Sequence, residues 1–154
     1  MSVLIEKDEL RAGELAPETL TQAYALARLS GVETEEKKWC EDIIRRQATS
    51  FEYKEGVVSI RNRDNYIVAL LFYGVEASSE HGRTLRLDEL ILPNVFIRSF
   101  VGCFVPIVDA IAHSLDCVTI FAPTDVYLRL DCLGIPEGFH DDIDGIYRYL
   151  SVRD

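Results

Sequence analysis

Two carboxylates stand side by side inside an aliphatic run, Leu87-Asp88-Glu89-Leu90-Ile91-Leu92. A carboxylate among aliphatic side chains has a raised pKa if it is buried, which suits it to accept a proton near neutrality. Successive strand residues point to opposite faces. Strict alternation therefore puts Leu85, Leu87, Glu89 and Ile91 on one face, and Arg86, Asp88, Leu90 and Leu92 on the other. At most one carboxylate of the pair then enters a given cleft, and Glu89 is the stronger candidate. The competing reading is an exposed edge, or a pair with a nearby arginine.

Other groups carry weaker chemistry. His140-Asp141-Asp142-Ile143-Asp144-Gly145 imitates the start of a calcium loop. Its twelfth position would be Ser151 rather than Glu, and a strand pattern follows rather than a helix, so an acidic hairpin is expected. Cys40, Cys103, Cys117 and Cys132 form no closely spaced pair, which argues against a zinc site and for buried free thiols in a reducing cytoplasm. Cys103, near a helix start, is either activated by the helix dipole or a small core filler. His113 has Asp109 four residues earlier, the spacing of a helix-surface pair. No Ser–His–Asp spacing and no Gly-x-Ser-x-Gly elbow is present. No resident metal is expected.

The chain has 154 residues, with 16 Lys or Arg against 26 Asp or Glu, a formal net charge of −10. A charge of that sign removes the usual footprint of nucleic-acid binding and of an anionic membrane surface. The N-terminus lacks the basic-then-apolar pattern of a signal peptide. The most apolar run, from Leu90 to Val108, is broken by Pro93, Asn94, Arg98 and Pro106, so no membrane span is expected. Location in the cytoplasm is the default.

The elements that must position these residues can be read from periodicity. Val3-Leu4-Ile5 is a short strand. Pro17 opens a helix that Gly31 ends, and a second helix runs from about Glu33 to Ala48, with Thr34 as N-cap and Trp39, Ile43 and Ile44 inward. Glu33–Lys37, Glu41–Arg45 and Asp42–Arg46 have ion-pair spacing on it. Gly56–Arg61 and Tyr66–Val75 are strands joined by the turn Asn62-Arg63-Asp64-Asn65, and Thr84–Leu92 is a third. A helix over roughly Val101 to Leu115, a buried strand Cys117–Phe121, a short helix from Thr124 to Leu133 and a hairpin around Asp144-Gly145 complete the chain. Three sequential strands favour antiparallel pairing, and the strand–helix–strand unit from Leu85 to Phe121 favours a parallel crossover. The fold class is α+β: one mixed β-sheet, mostly antiparallel with a central parallel pair, flanked by helices, in a single domain over residues 1–154.

This order resembles the GNAT superfamily of acyl-CoA-dependent N-acyltransferases over nearly the whole chain. The residues that carry the resemblance are Leu87-Asp88-Glu89-Leu90-Ile91-Leu92-Pro93 ahead of a helix, and Cys132-Leu133-Gly134-Ile135 after a short helix. The latter looks like the Leu-Gly-Phe that precedes the family's last two strands. The Asp144-Gly145 hairpin with Tyr147-Arg148-Tyr149-Leu150 fits that ending.

The resemblance implies acetyl-CoA or a longer acyl-CoA as co-substrate. Pantetheine would lie along the backbone of Leu90, Ile91 and Leu92. The pyrophosphate would sit at the next helix's N-terminus, on Val101, Gly102 and Cys103, with Arg98 a phosphate contact or a solvated loop residue. Glu89 or Asp88 would be the general base and Tyr127 the general acid, one turn before the family's usual position, here Leu130. The family's glycine-rich phosphate loop departs here: Ile97 and Phe100 replace two of its three defining residues, and Phe100 is expected to obstruct the close approach glycine permits. The strands are expected to separate at Leu90 and Val118.

The implied function is transfer of an acyl group from acyl-CoA to the amine of a small molecule. The alternative is a GNAT-like domain without CoA binding, acting as a small-ligand or protein-interaction module. A third reading is an unrelated sensor domain with a ligand cavity above the sheet. The apolar run near Val95–Val105 would line an acyl tunnel or a homodimer contact.

Overall fold

Runs of β-branched and aliphatic residues, cut by turn residues and by two helical patterns, set the order of elements. The computed structural model describes residues 2–5, 10–100, 102–126, 139–142 and 144–150. In chain order these form β1 (Ser2–Ile5), β2 (Leu10–Glu14), α1 (Leu20–Leu29), α2 (Glu36–Gln47), β3 (Glu55–Arg61), β4 (Ile67–Ser78), β5 (Gly82–Ile91), a four-residue α3 (Ile97–Phe100), α4 (Phe104–Ser114), β6 (Thr119–Pro123), β7 (Phe139–Asp142) and β8 (Gly145–Tyr149). The strands make one eight-stranded sheet in the order β1-β2-β3-β4-β5-β6-β8-β7. Every neighbouring pair is antiparallel except β5 and β6, which are parallel. The α+β mixed sheet with its central parallel pair is thus present.

Local chemistry explains the boundaries. Pro17 starts a 3-10 turn ahead of α1, where its missing N–H costs nothing. Gly31 follows α1 with φ +99°, a left-handed conformation open to glycine. In the β3–β4 turn, the Asn62 side-chain oxygen accepts from the Asp64 and Tyr66 N–H groups, both at 3.0 Å, and Asn65 takes φ +67°. At the other hairpin, Asp142 pairs with Gly145. A Cβ on Gly145 would lie 2.1 Å from the Ala122 carbonyl oxygen, so only glycine fits there.

The sheet buries both faces. On one, Trp39, Ile43, Ala23 and Leu26 of α1 and α2 pack on Val57, Ile67, Leu70 and Ile91. On the other, Phe104, Ile107, Val108 and Ile111 of α4 pack on Leu71, Tyr73, Leu85, Leu87 and Ile120.

Several sequence expectations change. β2 has no counterpart among the expected strands: its Leu-Arg-Ala-Gly-Glu is too short and polar to signal itself, and it forms because β1 and β3 flank it. α2 begins at Glu36 after Glu35, without a side-chain cap from Thr34. Ile44 is exposed rather than inward. Asp42 pairs with Arg45, not Arg46. Asp109 takes Arg148 of β8 through two hydrogen bonds of 2.9 and 2.8 Å, not His113. The helix expected over Val101–Leu115 is α4, which starts later, at Phe104, and the short α3, ending at Phe100, precedes it without having been expected.

Candidate active site

The register of β4 against β5 contains a discontinuity. Phe72 pairs with Glu89 and Tyr73 with Leu87, leaving Asp88 as an extra residue in β5. Such a β-bulge bends its strand and re-aims side chains. It also reverses the alternation. Leu85, Leu87, Leu90 and Leu92 all join the α4-side core. Arg86 and Asp88 pair with each other, Asp88 also reaches Arg46 of α2, Glu89 sits opposite Phe72, and Ile91 packs with the α1/α2 core. The faces expected from strict alternation are therefore corrected: Asp88 and Glu89 share the α1/α2 side, and Glu89 does not stand among Leu85 and Leu87.

The driving force is hydrophobic. Without the bulge, Glu89 would enter the aliphatic layer and Leu90 and Leu92 would leave it. The sequence carries the signal as a phase jump: the leucines sit at 85 and 87, then at 90 and 92.

The two carboxylates have opposite environments. Both Asp88 oxygens face guanidinium groups: Arg86 Nε donates to Oδ1 at 2.5 Å, Arg86 Nη2 approaches Oδ2 at 3.3 Å, and Arg46 Nη2 donates to Oδ2. The Arg46 and Asp88 side chains are 19% and 24% exposed. Arg46 also donates to the Gly56 carbonyl at 3.0 Å and the Tyr73 carbonyl at 2.5 Å, so it ties α2 to three strands. Arg86 completes the network on Glu76 at 3.2 Å, and its hydrogen bond to Asp88 pushes its pKa above the ordinary arginine value. The guanidinium lies across Gly74, where a Cβ would come 2.2 Å from Arg86 Nη2. Asp88 is thereby committed as a structural acceptor. Glu89 is exposed, and its side chain makes no ion pair or hydrogen bond among the described residues.

The bulge adjoins an opening. Parallel pairing of β5 with β6 covers only Thr84–Arg86 against Thr119–Phe121, yet β5 continues to Ile91. Among the described residues, no strand pairs with that side of Leu87–Ile91. β6 meanwhile follows β8 to its pairing of Pro123 with Gly145. The bend at the bulge and the missing N–H of Pro123 both favour the separation. The separation lies beyond Arg86 and Phe121, not between Leu90 and Val118, because Val118 is at the opposite end, where its N–H donates to the Arg83 carbonyl at 2.9 Å.

α4 connects β5 to β6, so its N-terminus lies at the end of the sheet where the two strands part. First-turn N–H groups of a helix have no partner within it, and the dipole there favours an anion. Pro106, in that turn, has no N–H to offer. Gly102, exposed with φ +82°, leads into the turn, and Cys103 is its buried N-cap residue. Phe100 is fully buried in the α4-side core, so it does not stand at the mouth of the helix as its motif position suggested. Arg98 is exposed on α3. The side chains of Leu90, Ile91 and Leu92 are buried, which leaves only their backbone to face a ligand. Val101 and Tyr127, as well as the Cys132–Ile135 match, lie outside the described residues. Among the described residues there is no group of three metal-ligating side chains, and no helix is long and apolar enough to cross a membrane.

Solved structures share this fold. A GNAT-family acetyltransferase from Staphylococcus aureus superposes with a TM-score of 0.67 at 15% identity, covering 88% of this chain and 95% of its own. An aminoglycoside antibiotic 6'-N-acetyltransferase from Acinetobacter baumannii gives 0.64 at 12% identity, over 94% and 99%. A spermidine N-acetyltransferase chimera from Vibrio cholerae gives 0.65 at 13%, over 90% and 94%. The chain has the GNAT fold. No protein-family model matches the sequence, and no curated protein matches it significantly, so the GNAT likeness rests on three-dimensional structure.

Sequence reasoning placed Glu89 in the strand that bears it. It missed Arg46, assigned to a surface pair with Asp42, because its true partner is a strand residue brought near only by the fold.

Proposed function

We propose that this GNAT-fold protein transfers an acyl group from acetyl-CoA or a longer acyl-CoA to the amine of a small molecule. The observation that carries the reading is the parted β5–β6 seam, with the unpaired edge of Leu87–Ile91 beside an exposed carboxylate. An extended amide-bearing chain can bond to such an edge as an added strand would. The backbone of Leu90, Ile91 and Leu92 would hold pantetheine, and the α4 N-terminal turn with Gly102, Cys103 and Val101 would receive the phosphates, with Arg98 near enough in sequence to add a charge. Acyl-CoA would supply the thioester.

Glu89 takes the proton from the substrate ammonium, directly or through water, and frees the amine to attack. Asp88 cannot serve in its place, since its oxygens are held by Arg46 and Arg86. Tyr127 is the candidate acid for the departing thiolate. A net charge of −10 favours a cationic amine over an anionic acceptor. The absence of a glycine-rich loop is met in part by Gly102 and by the inward turn of Phe100.

Thermal unfolding with CoA, acetyl-CoA and a long-chain acyl-CoA tests the reading. A ligand at about 100 times its Kd adds about 2.7 kcal/mol of stability. Absence of any shift with all three would defeat the transferase reading and favour an interaction module.

A further inference from the structure

The Arg46–Asp88 contact sits at the β5 bulge, one residue from Glu89. Asp88 is the inserted residue of the β5 bulge, and Glu89 is the next. Arg46 reaches it from α2 while also bonding the Gly56 and Tyr73 carbonyls, on β3 and β4. Tyr73 flanks the register shift directly, since it pairs with Leu87 on the other side of Asp88. One guanidinium therefore grips both strands of the bulge. Arg86 holds the same carboxylate from within β5 and is steadied by Glu76.

A bulge in an otherwise alternating strand can shift by a residue if nothing pins it. A shift that paired Asp88 in Glu89's place would carry Glu89 away from its position opposite Phe72. A planar fork with several donors in fixed directions can pin it; a lysine ammonium has no such geometry.

We propose that Arg46 is a positioning residue for acyl transfer: by holding Asp88 at the bulge, it fixes Glu89 on the open face beside the parted seam. The inference rests on the transferase reading. It adds an element outside the site, α2, as the part that sets the geometry of the base.

The test is a double-mutant cycle on the full chain, with acetyl-CoA and either spermidine or kanamycin as acceptor. Arg46→Gln lowers kcat about tenfold, with KM for acetyl-CoA within about twofold of wild type; in the Glu89→Gln background the same substitution lowers kcat no further. Asp88→Asn cuts the contact from the strand side and leaves the Arg46 bonds to the two carbonyls, so it repeats the pattern even if Arg46→Gln folds poorly. Equal losses in both backgrounds would show a general structural role and overturn the proposal, as would an unchanged kcat in both single variants. If the wild-type chain acetylates neither acceptor and no acyl-CoA shifts its unfolding, the transferase reading itself fails and the positioning role falls with it. An active wild type with additive losses sinks the positioning role alone.

Discussion

The sheet contains two bulges that perform the same operation with different residues. In β4, Val68 is the extra residue, because Ile60 pairs with Ala69 and Arg61 with Ile67. Both Val68 and Ala69 are buried in the α4-side core, next to the Asn62–Asn65 turn. In β5, Asp88 is the extra residue, and the bulge turns Glu89 out of the α4-side core onto the face that Asp88 already occupies. The first adjusts twist and register near a hairpin and packs apolar atoms. The second places charges beside a strand edge that has no partner among the described residues. Bulges occur both at sheet edges and next to active sites, and of these two only the second exposes titratable groups.

The contrast can be broken most sharply by kinetics. Glu89→Gln should cut kcat by about 100-fold or more, the range of a lost general base, while Tm stays near wild type because the side chain is exposed. Val68→Ala should do the reverse: about 2 kcal/mol less stable in denaturant unfolding, with unchanged kcat for the folded protein. A loss of kcat from Val68→Ala, or of stability from Glu89→Gln, would erase the distinction between the bulges.

Tyr73, beside the charged bulge, provides a pH-dependent probe. Burial pushes its hydroxyl from the ordinary 10 up to about 12, with the Glu14 charge adding to the rise. The folded state therefore holds the proton more tightly than the unfolded chain. Stability is unaffected below pH 10 and falls as pH climbs towards 12, by at most about 3 kcal/mol from this group at 1.36 kcal/mol per unit. Tyr73→Phe should remove that alkaline loss when unfolding is followed between pH 9 and 12.

The smallest effect concerns Gly74. A methyl there would displace the Arg86 guanidinium but not backbone, so Gly74→Ala should cost about 1 kcal/mol. Because Arg46 still grips Asp88, kcat should fall less than in Arg46→Gln.

The turn at Asn62–Asn65, the Asp144-Gly145 hairpin, the start at Pro17 and the stop at Gly31 were legible because each is a local conformational preference. So was the parallel crossover, which follows from a helix between two apolar strands. β2 was not, because its residues have little strand preference of their own and depend on flanking strands for their hydrogen bonds. The bulge is written in the leucine phase, but strict alternation cannot represent an inserted residue and so places Glu89 on the opposite face.

The sequence by itself determined the α+β class, the order of the central strands, the place of Glu89 in β5 and the acidic charge that disfavours nucleic acid. These depend on period, turn chemistry and composition, all short-range or global sums. Only the tertiary structure decided that Asp88 is taken by Arg46 and Arg86, that Glu89 is left exposed, that Phe100 turns into the core, and that β5 and β6 part beyond Arg86 and Phe121. Arg46 and Asp88 are 42 residues apart in sequence. No local preference encodes such a contact; it exists because α2 and β5 bury their apolar sides against one sheet.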